Sequence, residues 1–206
     1  MNHYSGLDKK FVWFLVKFLL LFGILYVGTL GVIGLAAPGG LYSPFIEKYL
    51  DYVSWIKQSL IWAVEHVCAL VGYETYRAPD FVLRSPTGRG VKIAMDCVGY
   101  GVYSFWIAYV LANDGSWKRK VLWSVGGVLA LWLINVGRIT LFLISLIERR
   151  PLPLGMDHHT WFNIVAYIFI FSMIWLFERQ GKQLKNNKDV HLPTNHFNNN
   201  KQQSIS

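Results

Sequence analysis

Residues 121–147 read VLWSVGGVLALWLINVGRITLFLISLI, an apolar run that is interrupted by Asn135, Gly137 and Arg138. A bilayer has a hydrocarbon core of about 30 Å, which about 20 helical residues cross, so the run is too long for one perpendicular crossing. The basic residues 118–120 precede it and predict that it starts at the inner face of the membrane. Roughly eighteen residues at 1.5 Å each, about 27 Å in all, separate residue 120 from Arg138, which we therefore expect at the outer face.

Three further apolar stretches predict an all-α polytopic membrane protein with about four transmembrane helices. They are residues 11–35, 95–112 and 161–177. Lysines before the first stretch and basic residues after the second and the last place both termini inside. The loop 148–157 then lies outside, and the second and last spans both begin at the outer face.

Residues 49–71 are predicted to form an amphipathic helix at the membrane interface. Apolar residues recur there at helical spacing, while Lys57 and Glu65 interrupt the stretch. A further span, the alternative, would bring both charges into hydrocarbon at about 2.5 to 3.5 kcal/mol each near the centre. Residues 73–92 follow as a short outer-face segment. Its strand candidates are residues 81–84 and 91–93, around a turn at 85–90.

The composition agrees with a membrane setting. Hydrophobic residues make up 53% of the 206 residues and charged residues 16%, with 9 Trp, which is unusual for a soluble domain. The net charge of +8 does not predict a nucleic-acid partner, because the Lys and Arg residues flank apolar stretches and form no single basic stripe. Residues 180–206 are too polar to build a core and are predicted to be a disordered cytoplasmic tail, after an integral membrane domain of residues 1–179.

Three kinds of polar group are expected to meet at the outer face: the Cys97 thiol, the Arg138 guanidinium and the pair His158 and His159. A cysteine is a nucleophile only as thiolate, which a neighbouring cation favours. Arg138 would hold an oxyanion or a substrate carboxylate, and a histidine would act as general acid or base. The simpler alternatives are a small apolar role for Cys97, snorkelling of Arg138 to head groups, and helix capping just before the last span.

No metal or other cofactor is expected. Adjacent histidines on a helix point roughly 100° apart, so His158 and His159 would rarely bind one ion together. The two cysteines, Cys68 and Cys97, form neither a disulfide framework nor a paired metal motif. A disulfide between them stays open if both face an oxidising compartment.

The order of these motifs resembles the exosortase and archaeosortase family of membrane cysteine transpeptidases. The similarity covers residues 89–177: a cysteine with glycine two positions later, Asn-x-x-Arg near the end of the next span, and a histidine that opens the last span. The segment DHHxxFN at 157–163 looks like the short, single-domain exosortase branch. The resemblance implies that Cys97, Arg138 and one histidine are catalytic. His159 is preferred over His158, because Asn163 stands four positions after it.

The implied activity is cleavage of the C-terminal sorting segment of exported proteins through a Cys97 thioester, followed by transfer to a membrane-lipid or surface-polymer acceptor. The site would lie in the cell inner membrane and face the outside or periplasm. Two features depart from the family: Val98 stands where a hydroxyl residue is common, and the chain lacks the long N-terminal half of larger exosortases. The alternatives are a non-catalytic membrane scaffold of cell-surface or exopolysaccharide assembly, and a hydrolase that cleaves without transfer.

Overall fold

The computed structural model of the protein describes residues 5–37, 41–149 and 158–190. In chain order, its elements are the helices α1 (Ser5–Ala36), α2 (Pro44–Tyr49) and α3 (Tyr52–Leu70), the strands β1 (Tyr76–Ala78), β2 (Val82–Arg84) and β3 (Gly90–Lys92), and the helices α4 (Tyr100–Ala112), α5 (Trp117–Glu148) and α6 (His158–Val190). A 3-10 turn, Met95–Val98, precedes α4. The predicted outer loop lies largely outside the described residues, since 150–157 are not among them.

The chain forms two compact units, residues 1–168 and 169–206, and the boundary falls within α6. In the second unit the described residues are 169–190, all helical. The predicted tail begins at residue 180, whereas α6 continues through residues 180–190, which extend an existing helix with good helix formers such as Gln, Lys and Leu. Residues 191–206 of the predicted tail lie outside the described residues.

Within the described ranges, three helices are long and apolar enough to cross a membrane: Lys9–Ala36, Trp117–Glu148 and Ile164–Leu184. The prediction of a mostly helical protein with membrane-length apolar helices is thus confirmed, while a fourth membrane-length helix is not. The predicted span 95–112 is helical only from Tyr100, and the 13 residues of α4 extend about 20 Å at 1.5 Å per residue. The reason is Gly99, whose φ of +78° is a left-handed conformation that interrupts a right-handed helix.

Helix α1 packs along α4 through aromatic side chains. Residues four positions apart share a helix face, and Phe14, Phe18, Phe22 and Tyr26 stack in this way along α1. The opposing rings on α4 are Tyr109, Phe105 and Tyr100, with centroid distances of 6.0, 5.3 and 5.6 Å. Ring packing of this kind holds helices together where lipid removes the hydrophobic drive for their association.

Helices α4 and α5 approach closely at Gly127. The Trp106 side chain of α4 is fully buried there, and its indole Nε1 donates a hydrogen bond to the carbonyl oxygen of Trp123 at 2.9 Å. A Cβ atom on Gly127 would overlap the indole ring. The contact therefore needs a residue without a side chain, in the way that small residues let membrane helices pack closely.

Helix α3 and the sheet form the second packed region of the first unit. The strands are antiparallel in the order β1-β2-β3, so both predicted strands are confirmed and β1 is added. Leu83 and Ile93 pack with residues of α3 and α5 in one apolar cluster. The prediction of a helix in 49–71 is confirmed by α3. Lys57 was expected to interrupt the apolar stretch as a charge, but it lies on the buried face of the helix, and only 5% of it is exposed.

Two arginines fasten the sheet to the helices. The Arg89 guanidinium donates hydrogen bonds to the carbonyl oxygens of Leu146 (3.2 Å) and Ile147 (2.8 Å), in the last turn of α5. These carbonyls have no partner within the helix, so the contact caps its C-terminal end. Arg77 of β1 forms an ion pair with Glu65 of α3 at 2.7 Å, which at this exposed position adds little stability.

We expect Gly127→Ala to lower the free energy of unfolding by about 1 to 3 kcal/mol, because its methyl group forces the Trp106 indole out of place. Gly126→Ala is the matched control, since no atom lies within 4 Å of a Cβ atom there and alanine favours the helix. Thermal unfolding in detergent micelles, followed by circular dichroism, measures both. If Gly127→Ala and Gly126→Ala melted at the same temperature, that result would contradict the close packing of α4 on α5.

Candidate active site

Cys97 lies in the 3-10 turn that leads into α4. Its backbone N–H donates to the carbonyl oxygen of Ala94 at 3.1 Å, and its side chain is half-buried. Gly99 follows with φ +78° and ψ 23° and accepts the first hydrogen bonds of α4, from Val102 and Tyr103. The glycine two positions after the cysteine is therefore required by the backbone, because an L-residue with a side chain is strained in that conformation.

Asn135 of α5 holds the Cys97 turn in place. Its side-chain amide donates to the carbonyl oxygen of Cys97 at 2.7 Å and lies 3.4 Å from that of Val98. Asn135 is 8% exposed, so this bond is shielded from water and from competing partners. Arg138 lies three residues further along α5, which places it almost one helical turn beyond Asn135 on a neighbouring part of the surface.

A cavity of about 290 Å³ lies between the Cys97 turn, α5 and the start of α6. Its polar lining residues are Tyr103, Asn135 and Arg138, and the rest of its wall is apolar or glycine. Val98 and Gly99 line it directly after Cys97, and Val165 and Ala166 of α6 close another side. The structure thus brings Arg138 and the chain next to Cys97 together around one cavity.

The two predicted histidines stand at the start of α6, which begins at His158 as expected. The side chains of His158 and His159 lie outside the described residues, and so does that of Asn163. Among the side chains that the structure does describe, no group of three His, Cys, Asp or Glu is placed to hold a metal ion.

Cys68 is a buried residue of α3, apart from the cavity. Both cysteines are free thiols, so the disulfide that the sequence left open is not present. Burial raises the pKa of the Cys68 thiol. Cys68 belongs to the apolar cluster against which Cys97 packs, which makes it the natural control for substitutions at Cys97.

Sequence reasoning missed Lys57, which lies on the buried face of α3, the helix that the Cys97 turn contacts. Its ammonium lies 4.7 Å from the centre of the Phe81 ring. Burial lowers the pKa of Lys57, while the charges of Asp51 and Cys97 act to raise it and that of Lys92 adds to the lowering. The available signal was its spacing, since Lys57 stands four residues after Val53 and three before Leu60, both on the apolar face.

Cys97 itself is not among the described residues that line the cavity, so the structure brings Arg138 beside the Cys97 turn without placing the thiol in the cavity wall. A thiol beside a cavity with a guanidinium in its wall suits attack on a carbonyl carbon with stabilisation of the resulting oxyanion. Comparison with known proteins adds no assignment: no family model, curated protein or solved structure matches the chain.

We expect Asn135→Ala to loosen the Cys97 turn, because the buried Cys97 carbonyl loses its donor at a cost of about 1 to 3 kcal/mol. In a Cys68→Ala background, where Cys97 is the remaining cysteine, maleimide should label Cys97 faster. The matched control is Asn113→Ala. It removes the hydrogen bond of 2.9 Å from the Asn113 side-chain amide to the carbonyl oxygen of Tyr109, at the other end of α4. Labelling at the wild-type rate in both variants would show that Asn135 does not hold the turn.

Proposed function

We propose that the protein is an exosortase-like membrane cysteine transpeptidase with Cys97 as its nucleophile. The observation that carries the proposal is the hydrogen bond from Asn135 to the Cys97 carbonyl (2.7 Å), because it joins the nucleophile's turn to the helix that bears Arg138. An arginine that only snorkels to lipid head groups has no need of a cavity, whereas Arg138 lines one with Val98 and Gly99.

The position of the histidines on α6 supports a third member of the site. Helical residues seven positions apart lie on nearly the same face, about two turns from each other. His158 stands seven residues before Val165, and His159 seven before Ala166, and these two later residues line the cavity. This spacing supports a histidine as the third member of the site, and His159 stays the preferred catalytic residue.

The proposed reaction begins when the histidine accepts the thiol proton of Cys97 and the thiolate adds to the carbonyl carbon of the substrate's peptide bond. The Arg138 guanidinium donates hydrogen bonds to the tetrahedral oxyanion. As the C–N bond breaks, the imidazolium gives its proton to the leaving amine, and a thioester remains on Cys97. An amine of a lipid or surface-polymer acceptor, or water, then attacks the thioester and releases the thiol.

We further propose four crossings: α1, α5, α6, and α4 together with the Cys97 turn. Two independent lengths agree on the depth of that turn. Helix α4 extends about 20 Å from its inner end, and roughly fifteen residues of α5 from the basic cluster 118–120 to Asn135 extend about 22 Å. Both values fall short of the hydrocarbon thickness of about 30 Å. Cys97 is thus recessed below the outer surface.

A recessed cysteine suits a substrate that is itself anchored in the membrane. An exported protein with a C-terminal sorting motif, a transmembrane helix and a basic cluster would place its scissile bond near the end of that helix. The apolar cavity wall would accept the substrate's apolar side chains, while its peptide groups need hydrogen-bond partners. The Tyr103 hydroxyl, which lines the cavity beside the Asn135 side chain, offers one.

The first test is co-expression with an exported protein that carries a C-terminal transmembrane helix and basic cluster. We expect wild type and Cys68→Ala to process it and Cys97→Ala to leave it intact, as judged by mass spectrometry of the substrate's C-terminus and by trapping of a thioester. A mass added to the new C-terminus indicates transfer, and its absence indicates hydrolysis. Equal processing by Cys97→Ala would exclude the cysteine mechanism and favour the scaffold.

The second test concerns Arg138. Arg138→Lys keeps the positive charge but loses the planar pair of donors that fits an oxyanion, so we expect the processing rate to fall about 10²- to 10³-fold. The rate of substrate cleavage after induction measures this, with membrane insertion of the variant checked by its abundance in the membrane fraction. A full rate with lysine would mean that Arg138 serves only in helix contacts.

A further inference from the structure

A second cavity, of about 380 Å³, lies between α3, α4 and α5. Helix α5 supplies most of its wall, over positions 124–132, which present one face of the helix across two turns. The apolar residues that line the cavity are Ile56, Ile107, Val125, Val128, Leu129 and Trp132. Val125 and Leu129 are largely exposed and form an open rim. Because α5 is long and apolar enough to cross a membrane, we expect this rim to face hydrocarbon.

Water does not suit the second cavity. A buried water typically makes about three hydrogen bonds, and the polar groups in this wall are few. The Tyr103 hydroxyl lies beside the Asn135 side chain, and the indole N–H of Trp132 already donates to the Ser59 hydroxyl at 3.1 Å. The Ser124 hydroxyl is the other polar group among the described lining residues. An empty cavity would leave its wall without packing partners, so an apolar occupant is favoured.

The dimensions of the second cavity select a narrow occupant. Positions 124–132 of α5 extend about 12 Å, so a volume of about 380 Å³ corresponds to a mean cross-section of about 30 Å². A helix with its side chains is about 10 Å across, which gives a cross-section of about 80 Å². A transmembrane helix of a substrate or of a second copy is therefore too wide, whereas a single extended hydrocarbon chain is much narrower.

We propose that the second cavity binds one acyl chain of a bilayer lipid. The inference rests on the membrane crossing of α5 and is independent of the cysteine chemistry. Tyr103 lines both this cavity and the one beside the Cys97 turn, so a bound chain packs against the side chain that lies next to Asn135. Asn135 in turn holds the Cys97 carbonyl. Occupancy of the second cavity thereby steadies the Cys97 turn.

The test of binding uses phosphatidylcholine with a photoactivatable diazirine in one acyl chain. This lipid is titrated into the full-length protein in detergent micelles, crosslinked by light, and located by mass spectrometry of the labelled peptides. We expect saturable labelling of positions 124–132, which excess unlabelled phosphatidylcholine removes. Stronger competition by a free fatty acid than by phosphatidylcholine would assign the chain to a free acid and overturn the lipid as its source.

Two matched substitutions separate the cavity from the general lipid-facing surface. Leu129 lines the cavity and Leu133 is not among its lining residues, although their exposed fractions are 55% and 56%. Leu129→Trp should raise the lipid concentration for half-saturation about tenfold, because the larger side chain takes up space at the cavity's rim. Val128→Phe, which narrows the cavity from its wall, should act in the same direction, and Leu133→Trp should leave the titration unchanged. Melting temperatures show that the variants are folded.

The link to the Cys97 turn has its own readout. In the Cys68→Ala protein, saturating phosphatidylcholine should slow the labelling of Cys97 by maleimide, and Leu129→Trp should weaken this effect. Neither readout requires a sorting substrate, so the lipid site and the transpeptidase proposal can fail separately.

Labelling that does not saturate, or equal titrations of Leu129→Trp, Val128→Phe and wild type, would overturn the lipid site. Labelling that appears only after dilution separates two copies of the chain would also overturn it, since a second copy would then occupy the cavity. Saturable labelling without any change in the reactivity of Cys97 would keep the lipid site and reject its link to the Cys97 turn.

Discussion

The hydrogen bond from the Asn135 amide to the Cys97 carbonyl is the contact on which the arrangement of the site depends. In hydrocarbon, a backbone carbonyl without a donor costs several kcal/mol, so an irregular segment at membrane depth survives only where the protein satisfies it. Gly99 interrupts the helix and leaves the carbonyls before it outside the α4 hydrogen-bond ladder. Asn135 supplies the missing donor and thereby ties the turn to α5.

This constraint also explains why a short helix is tolerated. Helix α4 is too short to cross the hydrocarbon alone, but the turn before it contacts α3 and accepts the hydrogen bond of Asn135 from α5. The aromatic contacts with α1 and the close approach at Gly127 fix α4 on its other sides. The break before α4 thus forms part of the wall of a cavity.

The long apolar stretches were predictable from the sequence because hydropathy and length decide them. The helices of 11–35, 121–147 and 161–177, and the strands near 81–84 and 91–93, followed from these patterns. The extent of α4 did not, since the φ angle of Gly99 decides it and glycine adopts many conformations. Lys57 was misjudged because a charge in an apolar stripe is ordinarily an interruption, and its burial depends on Phe81, which is distant in the chain. The juxtaposition of Arg138 with Val98 likewise depends on packing between helices, which no local pattern encodes.

The arginine cap at the end of α5 has a mechanical consequence. Arg89 donates hydrogen bonds to the last carbonyls of α5, which is one continuous helix from the basic cluster at its start. The hairpin around Arg89 is therefore attached to the same helix that carries Arg138. A force applied to the hairpin is transmitted along α5, because an α-helix resists stretching. A pull on the hairpin would therefore reach the part of α5 that carries Arg138 in the cavity wall, because the Arg89 hydrogen bonds join the two.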